Sequence, residues 1–504
     1  MTTHLDNSSD HTWHNDSANS IRHVDVAIIG AGTAGQNAFH QASKTTDNIV
    51  IINDGFWTTT CATVGCMPSK LLIAAANRAH EAKDSEAFGI HADVKIDGQQ
   101  VMARVQSERN RFAGFVKQQV ESWSEDKKIS GRAYINKEGI IEVNSGRIKA
   151  DKIIIATGST PFIPDGWTEA LDDRLLTSDT IFELTDLPNS MAVIGAGAIG
   201  LELAQAFSRL GVTVTLFNRA NQVAGLKDEA INNKAIACLG SELTMQLNSK
   251  VEEVGTYTDD NQPDNNQSMA FINYTDSEGQ AHKWQGEYVL VATGRRNTID
   301  QLGIENLGVT LDDKNRPQNL NTNTGQIGDL EVYIIGDANA HIPLLHVASD
   351  EGFSAGSSVC TNNTNAYIRA PAIPLSIVFC EPQIINVGMT RPEIEASELE
   401  YVIGKVSFDN QGRSRVMGVN CGLLHIYGCK QTDKVLGASM VGPDAEYIAH
   451  ILAVAITNNL SIKQLLDTPF YHPTILEGLR TALRDVQAQM SIPYQNQKPL
   501  QDSF

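Results

Sequence analysis

The chain has 504 residues, 39 Lys and Arg against 59 Asp and Glu, a formal net charge of −20 and 41% hydrophobic residues. At about 150 residues per domain this allows two to four domains and a large core, and 19% charged residues fit a globular chain, neither disordered nor fibrous. The acidic excess argues against nucleic acid or an anionic membrane as the main partner, and no run approaches the roughly 18 apolar residues that span a bilayer.

Residues 1–22 are rich in His, Asn, Asp and Ser and lack the apolar centre of a secretion signal, which predicts a flexible tail and a cytoplasmic protein. Ordered sequence is expected from His23. The β-branched run Val24 to Ile29 reads as a buried parallel strand and leads into Gly30-Ala31-Gly32-Thr33-Ala34-Gly35. A helical stretch and a second buried strand, Ile49 to Ile52, complete a strand–turn–helix–strand unit. The pattern returns 165 residues later: Met191 to Ile194, Gly195-Ala196-Gly197-Ala198-Ile199-Gly200, a helix through Leu210, and Val212 to Phe217.

In such a unit the first glycine makes the tight turn, the second admits a pyrophosphate, and the third lets helix and strand pack closely. The helix N-terminus then offers free N–H groups to the phosphates. Each copy sits between a buried strand and a helix, the context that marks G-x-G-x-x-G as a dinucleotide site. The usual acidic ribose ligand lies about 20 residues on. That place holds Asn53 with Asp54 beside it in the first unit, and either side chain suits ribose hydroxyls. In the second unit it holds Asn218 followed by Arg219. Without a carboxylate to repel a 2′-phosphate, and with a guanidinium to pair with one, the second unit leans towards NADP(H) over NAD(H).

Directly after the first unit comes Thr58-Thr59-Thr60-Cys61, with Cys66 five residues further and Lys70 beyond it. On a regular helix the two cysteines would rise about 7.5 Å apart. A disulfide needs Cα atoms within about 7 Å, so a bonded pair requires a distorted turn, which Gly65 permits. Pro68 suits a first helical turn, placing Cys66 near a helix N-terminus that favours a thiolate. By spacing alone the pair fits two buried free thiols equally well; beside a dinucleotide fold it reads as a redox pair. The remaining cysteines, Cys238, Cys360, Cys380, Cys421 and Cys429, read as small core residues. No cysteine or histidine cluster has metal-ligand spacing.

The runs Ile153 to Gly158 and Val289 to Gly294 are matching apolar strands ending in Ala-Thr-Gly, and each closes or connects the dinucleotide folds. Polar residues 259–279 read as a hairpin or loop excursion. After Asn362 strands near 384–387, 401–406 and 423–426 precede helical runs at 445–457 and 473–490, predicting a separate α+β domain. His472 precedes Pro473, which opens a helix with the apolar face Ile475, Leu476, Leu479, Leu483 and Val486. Glu477, in its second turn, reaches back to the imidazole. A histidine so placed serves as a general acid/base or as a helix cap.

Together Gly30 to Gly35, Cys61 to Lys70, Ala156-Thr157-Gly158, Gly195 to Gly200 with Glu202, Ala292 to Arg295, Gly336-Asp337 and Tyr471 to Glu477 make the chain, from about Val24 to Val486, resemble the class I pyridine nucleotide–disulfide oxidoreductases, closest to the dihydrolipoamide dehydrogenases. The resemblance implies an α/β fold class with two Rossmann-like dinucleotide-binding folds and a C-terminal α+β dimerisation domain. It implies FAD in residues 23–160, completed by about 290–361, NAD(P) in 161–289, and a homodimer built by 362–504. It implies that Gly294 belongs to the second Ala-Thr-Gly of the cofactor sites, that Thr157 and Gly158 belong to the first, that Asp337 after Gly336 bonds the FAD ribitol, and that Lys70 and Glu202 pair beside the flavin. Cys66 would face the flavin, Cys61 would meet the external dithiol or disulfide, and His472, held by Glu477, would serve the other subunit's site. The substrate would be a small dithiol or disulfide, including a lipoyl domain. Departures are Thr58-Thr59-Thr60 for the usual Gly-Gly-Thr, the two asparagines at the ribose positions, and Phe470 where a second histidine often stands. Alternatives are an NADPH-dependent glutathione reductase-like enzyme, a flavin-bearing docking subunit, and a redox-sensing binding module.

Overall fold

A computed structural model of the chain describes residues 20–258, 268–359 and 372–490. The predicted tail thus lies outside the described residues but for its end, as do most of the polar excursion's first half and Cys360. Strand β1 (Ile21–Ile29) begins three residues earlier than the expected Val24. It is followed by α1 (Thr33–Ala42) and β2 (Ile49–Asn53), then by the short α2 (Thr60–Thr63) and the long α3 (Cys66–Lys83). β3 (Gly146–Ile155) pairs in parallel with β1 on the side opposite β2 and carries the strand Val332–Ile334 as a further parallel partner.

Burial on both faces explains the apolar composition of β1. From Val26 on the two faces alternate: Ala27 and Ile29 enter one core with Ile153 and Ile155, while Val26 and Ile28 enter another with Ala38 and Phe39 of α1. This alternation is the period of a strand, and it leaves the chain end, not a strand face, to carry the site.

The second unit repeats the plan with β4 (Ser190–Ile194), α4 (Ala198–Arg209), β5 (Thr213–Phe217), α5 (Glu229–Leu239) and β6 (Tyr288–Val291). Its sheet is five-stranded and wholly parallel, with β4 between β5 and β6. Corresponding bonds recur: Gly30 N–H to Ile52 O at 2.7 Å and Gly195 N–H to Phe217 O at 2.8 Å. Of the polar segment 259–279, the residues described from 268 onward enter a three-stranded antiparallel sheet, with Ser268–Thr275 as its central strand and a turn at 276–280.

The C-terminal part is a five-stranded antiparallel sheet that includes β7 (Leu423–Cys429) and packs against the helices α6 (Ala445–Thr457) and α7 (Leu476–Gln489). Ile475, Leu479, Leu483 and Val486 fill the core below it, as their spacing predicts. The helix opens later than expected, at Leu476 rather than Pro473, so Glu477 lies in its first turn. The His472–Pro473 peptide is cis. Among the described residues no helix is long and apolar enough to cross a membrane.

Two cysteines depart from expectation. Cys238, at the end of α5, and Cys421, just before β7, are joined in a disulfide with Cα atoms 6.1 Å apart. The sequence showed no spacing that would pair them, because 183 residues separate them and only the docking of α5 on the C-terminal sheet brings them together. Cys380 and Cys429 are free and buried, as small core residues should be.

Candidate active site

The two glycine turns are built alike. Gly30 and Gly195 have φ of +104° and +109°, and a Cβ there would lie 2.3 Å and 2.4 Å from the carbonyl oxygens of Ala156 and Ala292. Only glycine meets both demands. Gly35 and Gly200 seat each helix on its turn, since an added Cβ would fall 1.9 Å from the Gly30 or Gly195 carbonyl oxygen. Gly32 and Gly197, the N-caps of α1 and α4, face open space within 4 Å. That openness, beside free helix N–H groups, fits a pyrophosphate.

Asn53 and Asn218 hold these turns in the same way. Asn53 Oδ1 accepts from Ala31 N–H at 3.1 Å, and its amide donates to the carbonyls of Gly55 and Phe56 at 3.0 and 3.1 Å. Asn218 Oδ1 accepts from Ala196 N–H at 3.3 Å, and its amide donates to Ala220 and Gln222 at 2.9 and 2.8 Å. A carboxylate cannot donate, which accounts for the asparagines at the usual acidic position. With both amide hydrogens engaged, each offers a ribose only an acceptor lone pair. Asp54 and Arg219, next in sequence, are exposed.

The cysteine turn shows the distortion that a bonded pair would require. α2 is a single turn capped by Thr59, whose hydroxyl accepts from Ala62 N–H at 3.3 Å. The hydroxyls of Thr58 and Thr63 bond at 2.6 Å, so the threonine run braces the turn. At Gly65 the chain doubles back so closely that a Cβ would lie 2.9 Å from Thr60 O and 3.2 Å from the Cys61 Cα. α3 then starts at Cys66. The structure describes the pair as two free thiols hydrogen-bonded to each other.

That bond sets the charge. Donation from Cys61 holds the Cys66 thiol down at about 6, and Lys70 acts the same way, while burial and Glu202 oppose them. The same bond, with burial, pushes Cys61 far above the usual thiol range. Near neutral pH the negative charge therefore resides on Cys66, at the start of α3.

Both cysteines line a cavity of about 400 Å³ that also reaches Gly32, Asp337, Lys70 and Glu202. Lys70 Nζ lies 2.6 Å from Glu202 Oε2, with Glu202 almost buried and Lys70 one-third exposed. Phe379, which the sequence reading did not single out, completes the arrangement. Its ring lies under the ammonium at 4.5 Å, and its N–H donates to Glu202 Oε1 at 2.9 Å. No local signal marks Phe379, since its partners are 309 and 177 positions away.

At the other wall Asp337 Oδ2 accepts from the Ser159 hydroxyl at 2.8 Å, and Ser159 accepts from Arg295 Nε at 3.0 Å. Arg295 continues to Asp179 at 3.0 Å, tying the first unit to the second. Behind Gly336, Glu351 accepts from its N–H at 2.6 Å and from Asn339 at 2.9 Å, and burial raises Glu351 to about 7. Thr157 Oγ1 is buried and without a partner; Thr293, its counterpart beside Gly294, donates to Phe162 O at 2.7 Å. An orphaned hydroxyl, an open glycine cradle and an acidic wall fit FAD in this cavity. Among the described residues no group of three or more His, Cys, Asp or Glu is placed to hold a metal.

His472 and Glu477 meet as expected, with Nδ1 at 3.0 and 3.1 Å from the two carboxylate oxygens. The imidazole is 80% exposed and does not line the chain's own cysteine cavity. The structure thus unites Cys61, Cys66, Lys70 and Glu202 around one space and leaves the histidine pair outside it. His425 is buried against Asp228 at 2.8 Å.

The model of the pyridine nucleotide-disulphide oxidoreductase family matches residues 24–352, and the model of its dimerisation domain matches residues 374–483. The chain is 30% identical over 462 residues to the dihydrolipoyl dehydrogenase of Chlamydia pneumoniae, covering 90% of this chain and 95% of that protein. It is 28% identical over 472 residues to that of Halobacterium salinarum, covering 91% and 95%. Among solved structures, the HOCl-induced flavoprotein disulfide reductase RclA from Escherichia coli superposes with a TM-score of 0.74 at 21% identity, over 92% of this chain and 99% of that one.

Proposed function

Because the chain belongs to the pyridine nucleotide-disulphide oxidoreductases, FAD-dependent enzymes with a domain that supports a homodimer, we propose that it is a dihydrolipoyl dehydrogenase, oxidising a dihydrolipoyl dithiol and reducing a nicotinamide. The observation that carries this reading is the Cys61–Cys66 turn, closed by Gly65 at the mouth of the cavity that Lys70 and Glu202 line. The names of the similar enzymes support the dithiol.

In the oxidised enzyme Cys61 and Cys66 share a disulfide. A substrate thiolate attacks the Cys61 sulfur, the Cys61–Cys66 bond breaks, and Cys66 leaves as the thiolate that its surroundings favour. The second substrate thiolate then attacks the mixed disulfide, closing the substrate's own disulfide and freeing Cys61. His472 of the partner subunit accepts the substrate protons, with Glu477 orienting its ring; the exposure of the dyad, away from its own cavity, supports use in trans. A flavin held by the Gly32 cradle, Thr157 and Asp337 would supply two-electron transfer between Cys66 and the nicotinamide. Lys70, held by Glu202 and Phe379, places positive charge beside that path.

The glycine turns, Thr157, Gly158, Asp337 and Asp54 form the FAD site in this reading, and Gly195, Gly197, Gly200, Gly294, Asn218 and Arg219 the nicotinamide nucleotide site. The exposed Arg219 beside an asparagine favours NADP(H). That observation also supports a second reading, an NADPH-dependent reductase of glutathione-like disulfides. Steady-state kcat/KM with NAD and NADP, each crossed with dihydrolipoamide and glutathione disulfide, tests both. The proposal expects dihydrolipoamide to lead with either nucleotide, and a higher value for glutathione disulfide overturns it in favour of the second.

A further inference from the structure

The disulfide between Cys238 and Cys421 lies outside the cavity and has no part in the reaction above. It crosses the seam between the second dinucleotide unit and the C-terminal sheet. Other bonds hold the same seam. Asp228, the buried N-cap of α5, accepts from Tyr427 at 2.9 Å and pairs with His425 at 2.8 Å, both from β7. Lys234 of α5 meets both oxygens of Asp409 at 2.7 and 2.8 Å. With five side chains joining α5 to the sheet independently of sulfur, opening the disulfide leaves the elements docked. The two thiols then stay neighbours, at the Cα separation of 6.1 Å that suits reclosure.

The pair is also asymmetric. Cys421 is partly exposed at the end of a surface loop, whereas Cys238 is buried behind it. An outer sulfur that solvent reaches and an inner one that does not are suited to stepwise exchange.

We propose that Cys238 and Cys421 form a second thiol–disulfide site, an interdomain clasp that closes by exchange with a low-molecular-weight disulfide. The Cys421 thiolate attacks one sulfur of the external disulfide, whose S–S bond breaks and releases one thiolate, protonated by water. The Cys238 thiolate then attacks Cys421 in the mixed disulfide and expels the second thiolate. Two protein thiols are oxidised to one disulfide and one external disulfide is reduced to two thiols, so atoms and electrons balance; the reverse sequence opens the clasp. The site stands apart from the reading of Cys61 and Cys66, and its test does not depend on turnover.

The full-length holoenzyme is equilibrated in buffers of set glutathione to glutathione disulfide ratio, quenched by acid, alkylated and digested with trypsin. The joined peptides 235–250 and 416–430 are quantified, with fragmentation separating Cys421 from Cys429. The joined fraction is expected to climb from one-tenth to nine-tenths over about an eighty-fold change in [GSSG]/[GSH]², the signature of a two-thiol couple. It should also fall again when the ratio is reversed on folded protein. Cys421→Ser should yield no joined peptide and leave reduced-buffer turnover unchanged. Cys238→Ser should instead trap glutathione on Cys421. A joined fraction that ignores the ratio, whether always closed or always open, or a glutathione adduct that persists on Cys421 of the unaltered protein, overturns the proposal.

Discussion

Replacing Lys70 with Met removes the cation between Glu202 and the Phe379 ring while keeping the length of the side chain. At 2.6 Å the gross attraction between the two charges is about 6 kcal/mol with the effective dielectric of about 20 that suits a protein surface. Lys70 is one-third exposed and Glu202 keeps the Phe379 N–H, so solvent screening and the surviving bond reduce the net effect. A double-mutant cycle of Lys70→Met with Glu202→Gln, followed by urea unfolding, should give a coupling of about 2 kcal/mol. The same pair makes a sharper prediction about Cys66. Lys70 lowers that thiol and Glu202 raises it, so the pH midpoint of Cys66 alkylation should move up from about 6 in Lys70→Met and down in Glu202→Gln. A coupling below about 0.5 kcal/mol, or two midpoints moving the same way, would show that this ion pair does not govern the thiolate.

Four further outcomes follow from the same geometry. Cys61→Ala removes the largest influence on Cys66, so the alkylation midpoint should rise; a midpoint unmoved from about 6 would discard the sulfur–sulfur hydrogen bond as its cause. Gly197→Ala meets only open space, so it should leave folding and flavin content intact and raise the nicotinamide KM. Gly195→Ala, at a positive φ and against the Ala292 carbonyl, should cost about 3 kcal/mol of stability in a denaturant titration. His472→Gln should slow the dithiol half-reaction by about 100-fold or more in stopped flow while flavin reduction by nicotinamide stays near normal. Unchanged dithiol kinetics would remove His472 from the reaction.

Features set by neighbours in sequence were legible before the fold was seen. The glycine turns announce themselves because a tight turn, a phosphate approach and a helix contact need glycine at fixed offsets, and the open cradles at Gly32 and Gly197 have that character. The broken helix between Cys61 and Cys66 was expected from the helical rise if the two were to bond, and Gly65 marked the break. The roles of Asn53 and Asn218 were only half legible. Their position was clear, but their hydrogen bonds to loop carbonyls depend on the path of residues 55–56 and 220–222. The helix after His472 starts three residues later than its proline suggested, and Pro473 stands outside it. Phe379 and the Cys238–Cys421 bond could not be read at all. Each joins segments more than 170 positions apart, and no periodicity within one segment records a partner in another.

The support under Lys70 has a consequence for modularity. Both nucleotide turns, both cysteines and the lysine itself belong to residues before 374, so a fragment ending there would carry every recognisable motif except the histidine pair. It would nevertheless leave the Lys70 ammonium without its aromatic floor and the Glu202 carboxylate without its amide partner. Transplanting the two nucleotide units onto another oligomerising module would therefore transfer the outline of the centre but not its electrostatic tuning, unless the graft also brought the short stretch around Phe379.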